Sequence, residues 1–465
     1  MALNKIDTLS GWEQQDECVI AIYQQQPDRV QERLDDAGIE IGDTVRVARN
    51  GTEYEGRLMP RSEQGDTDTL VLKLDNGYNT GVTVDADTDI ELVSGRDAAT
   101  GETQELPEHD PEKPDIAILH TGGTIASKVS YEKGGVIPAF DPEELFQFYP
   151  ELFEEANIES EVLGQIHSGD MEPGHWQEFA AAVADHREKD GVIIGHGTDT
   201  MQYTAAALSF MLENIDIPVV LVGAQRSSDR PSSDSAINLL SAMEFIKEGR
   251  PGVYVCMHAG TSDTDVAIHE GTRVRKMHTS RRDAFRSIDT RPVARVSYPS
   301  GDVELLRDRR TAEPGDFALR TELDTDVGLV KSRPGIDLDM LDAVAGKRGV
   351  VLEGTGLGHF PVNSFDEHTE HHDEVLDAIR ELAEDGLAVM TSQCIHGRVN
   401  MNIYEYGVKI QNAGVISAEN MLTEVAYVKL MWALGQADSL QEAEELFRQN
   451  VAGEIVEREE YDGFD

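Results

Sequence analysis

Between Gly42 and Val93 apolar and polar residues alternate, in "DTVRVARNGTEYEGRLM", "TLVLKLDNGYNTGVTV" and "DIELV". A period of two puts successive side chains on opposite faces of a strand. Asn50-Gly51 and Asn76-Gly77 interrupt the runs where tight hairpin turns are needed. The pattern predicts a small antiparallel β-barrel over residues 38–95, which as a module carries no chemistry of its own. Upstream, residues 1–37 are polar, with "QQQPDRVQERLDD", and predict an N-terminal arm or a short helix. Residues 96–114 are charged, contain three prolines and follow neither period, as a linker does.

From Asp115 the pattern changes to continuous apolar runs separated by helical spacing. "DIAILHT", "GVIIGHGTDT", "PVVLVGAQ" and "GVYVCMH" read as strands buried on both faces. "GHWQEFAAAVADHREKD", "MQYTAAALSFMLEN" and "DSAINLLSAMEFIKEG" read as the helices between them. The alternation predicts an α/β domain over 115–325, with a parallel sheet covered on both sides. A second α/β domain is expected over 326–465. Its signs are "VGLVKSRPGID", "GVVLEGTGLGH", the helix "DEVLDAIRELAEDG", the strand "LAVMTSQC" and a helix pair from Glu419. Ligands on such sheets sit outside the carboxyl ends of the strands. That is where "TGGT" and "GTDT" fall.

The 465 residues include 40 basic and 88 acidic ones, for a net charge of −48, and only 12 of the basic residues are lysine. The charge is spread along the chain. A diffuse acidic surface poor in lysine fits adaptation to concentrated salt, which screens self-repulsion. It disfavours a large basic face for nucleic acid, and the chain is long for an acidic DNA mimic. Three distant cysteines, Cys18, Cys256 and Cys394, suggest a reducing compartment rather than a disulfide framework. The first twenty residues lack an apolar signal core, and no apolar run reaches the roughly 18 residues of a membrane span. A soluble, cytoplasmic protein is expected.

The chemistry concentrates in three stretches. "TGGT", Thr121 to Thr124, ends the first apolar strand; it is neither GxGxxG nor a P-loop, so nucleotide binding loses support. What remains is a threonine hydroxyl on a glycine turn, which alone could equally be a helix cap. "GVIIGHGTDTM" repeats the design, with Thr198 beside Asp199, and "GTRVRKMHTSRRDAF" supplies Lys276. A threonine hydroxyl needs a base to become a nucleophile, and a desolvated lysine can serve. An aspartate can orient that lysine or grip a substrate ammonium. Backbone N–H groups of the glycine turns, at Gly123 and Gly197, can stabilise an oxyanion.

"ILHTGGTIAS" and "GVIIGHGTDTM" resemble the two signature segments of the bacterial-type L-asparaginase/glutaminase family, in its order and approximate spacing. The likeness runs from about Asp115 to the C-terminus. It implies that Thr124 is the nucleophile, that Thr198, Asp199 and Lys276 form the second threonine–aspartate–lysine group, and that Tyr131 is the activating tyrosine, on a shorter loop than the family's. Ser168 in "QIHSGDM" matches the serine that holds the substrate α-carboxylate. The next residue is Gly169, where many members have Gln, which implies a differently shaped pocket. The family's carboxylate from a neighbouring subunit has no assigned equivalent near Asn402 to Glu405.

The β-domain and linker ahead of this body resemble the glutaminase subunits of archaeal tRNA-dependent amidotransferases. That resemblance implies hydrolysis of glutamine to glutamate and ammonia, with no metal or cofactor in this chain. The ammonia would serve a partner, the amidotransferase E subunit, which uses ATP and Mg2+ to convert glutamyl-tRNA(Gln) to glutaminyl-tRNA(Gln) and carries most of the tRNA contacts. It also implies a homodimer within a heterotetramer of two copies of each chain. With the charge, it fits a halophilic archaeal source. The alternatives are a free-standing L-asparaginase and a non-catalytic acidic binding module.

His368, His371 and His372 in "DEHTEHHDE" are expected on a solvated acidic face entering a helix, not at a metal. Cys394, near His396, is expected as a small core residue. "GTGLGH", Gly354 to His359, is expected as a loop, and Trp176 and Trp432 as core. The charge generates one direct test. The thermal midpoint should rise as salt goes from about 0.1 M to about 1 M, where the Debye length falls from about 10 Å to about 3 Å. A midpoint independent of salt would remove the case for salt adaptation.

Overall fold

A computed structural model describes residues 29–59, 68–74, 79–95, 107–122, 127–130, 135–138, 149–226, 232–308 and 315–459. The chain forms two compact units, one of residues 1–102 with 229–232 and one of the remainder.

In the first unit, helix α1 (Arg29–Ala37) precedes strands β1 (Thr44–Arg49), β2 (Thr52–Leu58), β3 (Thr69–Lys73), β4 (Asn79–Thr83) and β5 (Asp89–Ser94). Asn50 and Gly51 both take positive φ, 51° and 78°, as the expected two-residue hairpin turn requires. Asn76-Gly77 lies outside the described residues. The strands form an antiparallel sheet in the order β4-β3-β2-β1-β5. Its edges β4 and β5 share no ladder among the described residues, so the expected barrel is an open sheet there. Among the described residues the largely exposed β5 pairs only with β1. A second difference concerns α1, whose polar composition places it outside the domain in sequence. Val30 and Leu34, one helical turn apart, join Val45, Val47, Leu58, Leu70, Leu72 and Val82 in one core.

The second unit opens with β6 (Asp115–His120), the hairpin β7 (Ser127–Ser130) and β8 (Gly135–Pro138), α2 (Pro150–Glu155) and β9 (Asn157–Val162). Then follow α3 (Pro173–Asp185), β10 (Gly191–Gly195), α4 (Met201–Met211), β11 (Leu212–Glu213), β12 (Pro218–Val222), α5 (Ser235–Lys247) and β13 (Gly252–His258). Five short strands complete this half: β14 (Asp265–Glu270), β15 (Val274–Lys276), β16 (Phe285–Ser287), β17 (Ala294–Ser297) and β18 (Val303–Leu305). The main sheet runs β18-β17-β14-β13-β12-β10-β6-β9. Strands β6, β10, β12 and β13 are parallel, as their apolar runs predict, and the polar β9, "NIESEV", joins them parallel at the edge. The sheet is nevertheless mixed, because β14, β17 and β18 extend it antiparallel. Trp176, Phe179 and Phe210 pack on one face; Tyr149, Phe153, Ile237 and Phe245 pack on the other.

After β19 (Ala318–Leu319), which pairs with β11, the C-terminal half is a four-stranded parallel sheet. It comprises β20 (Val327–Lys331), α6 (Leu338–Asp342), β21 (Gly349–Gly354), α7 (His372–Asp385), β22 (Leu387–Ser392), α8 (Glu405–Asn412), β23 (Ile416–Ser417), α9 (Thr423–Gln436) and α10 (Leu440–Arg448). Helix α9 packs against α4 of the first half, where the Phe210 and Trp432 rings stack with centroids 5.8 Å apart. One apolar core therefore runs through both halves.

Charged groups join the halves as well. The fully enclosed Arg273 guanidinium donates to the Ile288, Asn420 and Glu454 carbonyls at 2.8–3.1 Å and to Asp289 at 3.2 Å. Lys429 on α9 pairs with Glu454, and both are fully buried. Removing one partner of such a pair strands a buried charge. Lys429→Met should cost about 3–5 kcal/mol in denaturant unfolding, and adding Glu454→Gln should recover part of it. An unchanged unfolding midpoint in Lys429→Met would contradict the buried pair.

Candidate active site

The first glycine of "TGGT" answers to packing. Gly122 has a φ of 114°, and a Cβ there would lie 2.4 Å from the Ile166 carbonyl oxygen. The Ile166 N–H donates to the Thr121 carbonyl at 2.9 Å, and the Thr121 hydroxyl donates to the Gly195 carbonyl at 3.0 Å. The turn after β6 is thus wedged between the end of β10 and the segment that follows β9. That segment carries Ser168, which is buried.

A second close approach joins Ser168 to the loop after β10. A Cβ on Gly197 would lie 2.7 Å from the Ser168 Cβ. The Thr200 hydroxyl donates to the Ser168 carbonyl at 2.7 Å, and the Asp199 N–H donates to the Ser168 hydroxyl at 3.4 Å. His196 fixes the start of this loop from below. Its ring bridges the Gly197 carbonyl, 2.6 Å from Nδ1, and the Thr204 hydroxyl, 2.8 Å from Nε2. Burial pushes its pKa down to about 4, so the ring is neutral and donates through Nδ1. On the far side, a Cβ on Gly223 would meet the Thr198 methyl at 2.7 Å. The segment after Gly223 is held by Asp234, a buried carboxylate that accepts from the Gln225 and Arg226 N–H groups at 3.0 Å.

Lys276 arrives from β15 and closes the cluster. Its Nζ donates to Thr198 Oγ1 at 2.9 Å and to Asp199 Oδ1 at 2.7 Å. The lysine side chain is 9% exposed and the aspartate 61%, so the ion pair has one buried end and one end in solvent. An amine touching a hydroxyl, and through a carboxylate touching water, has the connections needed to move protons at the carboxyl edge of the sheet.

The structure therefore brings together Ser168, Gly197, Thr198, Asp199 and Lys276. Thr124, Gly123 and Tyr131 lie outside the described residues. His196 and Thr200, within the quoted "GHGTDT", escape sequence reasoning because no spacing rule shows their inward contacts. Cys394 is exposed in the loop after β22, where its N–H donates to the Ser392 hydroxyl, so it is not a core residue. Trp176 and Trp432 are both buried. Among the described residues no helix is long and apolar enough to cross a membrane.

This fold and cluster define an asparaginase/glutaminase-type body. Residues 115–310 match the family "Asparaginase, N-terminal", and residues 326–447 match "Glutaminase/Asparaginase C-terminal domain". The L-asparaginase from Thermococcus kodakarensis superposes with a TM-score of 0.66 at 35% identity, over 74% of this chain and 99% of that one. L-asparaginase I from Vibrio cholerae gives 0.62 at 28% identity over the same shares. The N-terminal unit narrows the assignment, because residues 39–93 match the "GatD N-terminal domain". The D subunit of glutamyl-tRNA(Gln) amidotransferase from Pyrococcus furiosus is 48% identical over 92% of this chain and 98% of its own. That of Methanopyrus kandleri is 48% identical over 91% and 93%. The chain belongs to the GatD family, the D subunits of glutamyl-tRNA(Gln) amidotransferase.

The Gly197 contact yields a test of the loop packing. Gly197→Ala forces a methyl against Ser168 and should destabilise the protein by about 1–3 kcal/mol in denaturant unfolding. An unchanged unfolding midpoint would show that the two loops are not held this closely.

Proposed function

We propose that this chain is the glutaminase of a tRNA-dependent amidotransferase. It hydrolyses glutamine to glutamate and ammonia. The ammonia serves the amidotransferase E subunit, which amidates glutamyl-tRNA(Gln) with ATP and Mg2+, in an assembly of two copies of each chain. The observation that carries the reading is the contact of Lys276 with both Thr198 and Asp199, in a chain so close to the GatD relatives.

In this reading Thr124 Oγ attacks the side-chain amide carbon of glutamine. Its proton passes through the Lys276–Thr198–Asp199 group to the amide nitrogen, the C–N bond breaks, and ammonia leaves an acyl ester on Thr124. Water then adds to the ester, glutamate departs, and the proton returns to the Thr124 hydroxyl. Gly123 and Gly197 offer N–H groups to the oxyanion, Tyr131 assists Thr124, Ser168 takes the substrate α-carboxylate and Asp199 its ammonium. The exposure of the Asp199 carboxylate suits an end that must meet a free amino acid.

The test is ammonia release from glutamine and from asparagine in concentrated salt, by the chain alone and with the E subunit, ATP and glutamyl-tRNA(Gln). Glutamine turnover should rise sharply in the complete mixture. Thr124→Ala should reduce it to background, and Lys276→Ala should lower kcat by roughly 10²–10⁴-fold. Strong asparagine turnover by the chain alone, unchanged by the mixture, would indicate a free-standing asparaginase. Wild-type turnover by either variant would refute the assigned roles.

A further inference from the structure

The reach of Lys276 depends on a strand that the main sheet does not hold. Among the described residues β15 ladders only with β16, as a two-stranded ribbon outside the eight-stranded sheet. Side chains must therefore fix its position. Arg273, immediately before it, is bound to carbonyls of the C-terminal half. Val274 is buried in the shared core. Arg275 and Lys276 are adjacent in the strand and so leave on opposite faces. Lys276 goes to Thr198 and Asp199; Arg275 Nη1 goes to Glu424 Oε2 at 2.7 Å.

Glu424 is an unusual partner. It stands in the first turn of α9, on the C-terminal half, and its side chain is 4% exposed while that of Arg275 is 34% exposed. Its second oxygen, Oε1, is buried with no hydrogen-bond partner among the described residues. Burial pushes the Glu424 carboxyl above the usual carboxylate range, and the Arg275 guanidinium opposes that shift. A half-satisfied buried carboxylate costs stability, and an apolar residue would pack there without that cost. Among the described residues, its ion pair is made to the neighbour of Lys276.

We infer that Glu424 is a positioning residue for Lys276. Through Arg275 it clamps the back of β15 to the C-terminal half and so sets how far the lysine extends toward Thr198 and Asp199. Among the described residues no hydrogen bond or ion pair links the two to Ser168 or to the loop at Gly197, so the groups assigned to substrate binding are left alone. The inference rests on the proton-transfer role proposed for Lys276.

The test compares Glu424→Gln, Arg275→Glu and the charge-swapped double variant Arg275→Glu/Glu424→Arg in the reconstituted assembly, in concentrated salt. It is run on whichever amide, glutamine or asparagine, the wild type hydrolyses, so an error in the assigned substrate does not decide it. Glu424→Gln should lose about tenfold in kcat with KM unchanged, matching about one pK unit of interaction energy. The swapped pair should recover most of that loss, as a coupled pair does. Wild-type kcat in Glu424→Gln overturns the inference, as does failure of the swap to raise kcat when it folds like the wild type. If the charged variants do not fold, Arg275→Met/Glu424→Leu removes both charges while filling the space. It should fold and show the same tenfold loss, and wild-type kcat there overturns the inference.

Discussion

A buried guanidinium, that of Arg273, sets the frame on which the rest depends. It cannot shed its charge, so every partner around it must supply an acceptor. The partners come from two places: Ile288 and Asp289 in the first α/β half, and Asn420 and Glu454 beyond the second sheet. Shifting one half against the other would uncover a charge where no water reaches. Apolar stacking, as at Phe210 and Trp432, favours contact between the halves but tolerates sliding. The directional contacts of Arg273 do not. Lys276 lies three residues further along and inherits that fixed position.

This bears on how an acidic chain keeps its shape. With 88 acidic and 40 basic residues, the surface contributes repulsion, and its exposed ion pairs contribute little and are weakened further by salt. The pairs that bear on architecture are enclosed. Lys429 with Glu454, Arg307 with Glu270 and Arg273 with Asp289 have almost no solvent exposure. Salt screens such contacts far less than surface ones. The scarce cations include several placed where salt screens them least, while the carboxylates are mostly left outside.

Much of the frame was legible in the sequence. Strands β6, β10, β12 and β13 are uninterrupted apolar runs, and α3, α4 and α5 have helical spacing and length. Strands β14, β17 and β18 were not legible, because "DVAIHE", "ARVS" and "VEL" are short and mix charges with apolar residues. Helix α1 offers only Val30 and Leu34 to its core, too few to separate it from a polar arm. The site divides similarly. Thr198 beside Asp199 is visible as a motif, but its contact with Lys276 spans 78 positions and no local spacing encodes it. The resemblance to a known family joined them. Arg273 and Glu424 look like surface residues in a sequence, because only the fold shows that they are enclosed and that Arg275 meets Glu424.

The glycines explain why such a site can be recognised at all. A glycine pair after a strand signals close approach, and a phosphate is the familiar object. Here the objects next to Gly122, Gly197 and Gly223 belong to the protein: the Ile166 backbone, the Ser168 side chain and the Thr198 methyl. Each glycine lets one loop lie against the next, so the ends of β6, β10 and β12 and the segment after β9 form one packed layer. A larger residue at any of these points would move a neighbouring loop, not merely crowd a ligand. The spacing that reads as a motif is thus a packing constraint first, and it holds Ser168 against the loop whose Thr198 and Asp199 meet one lysine.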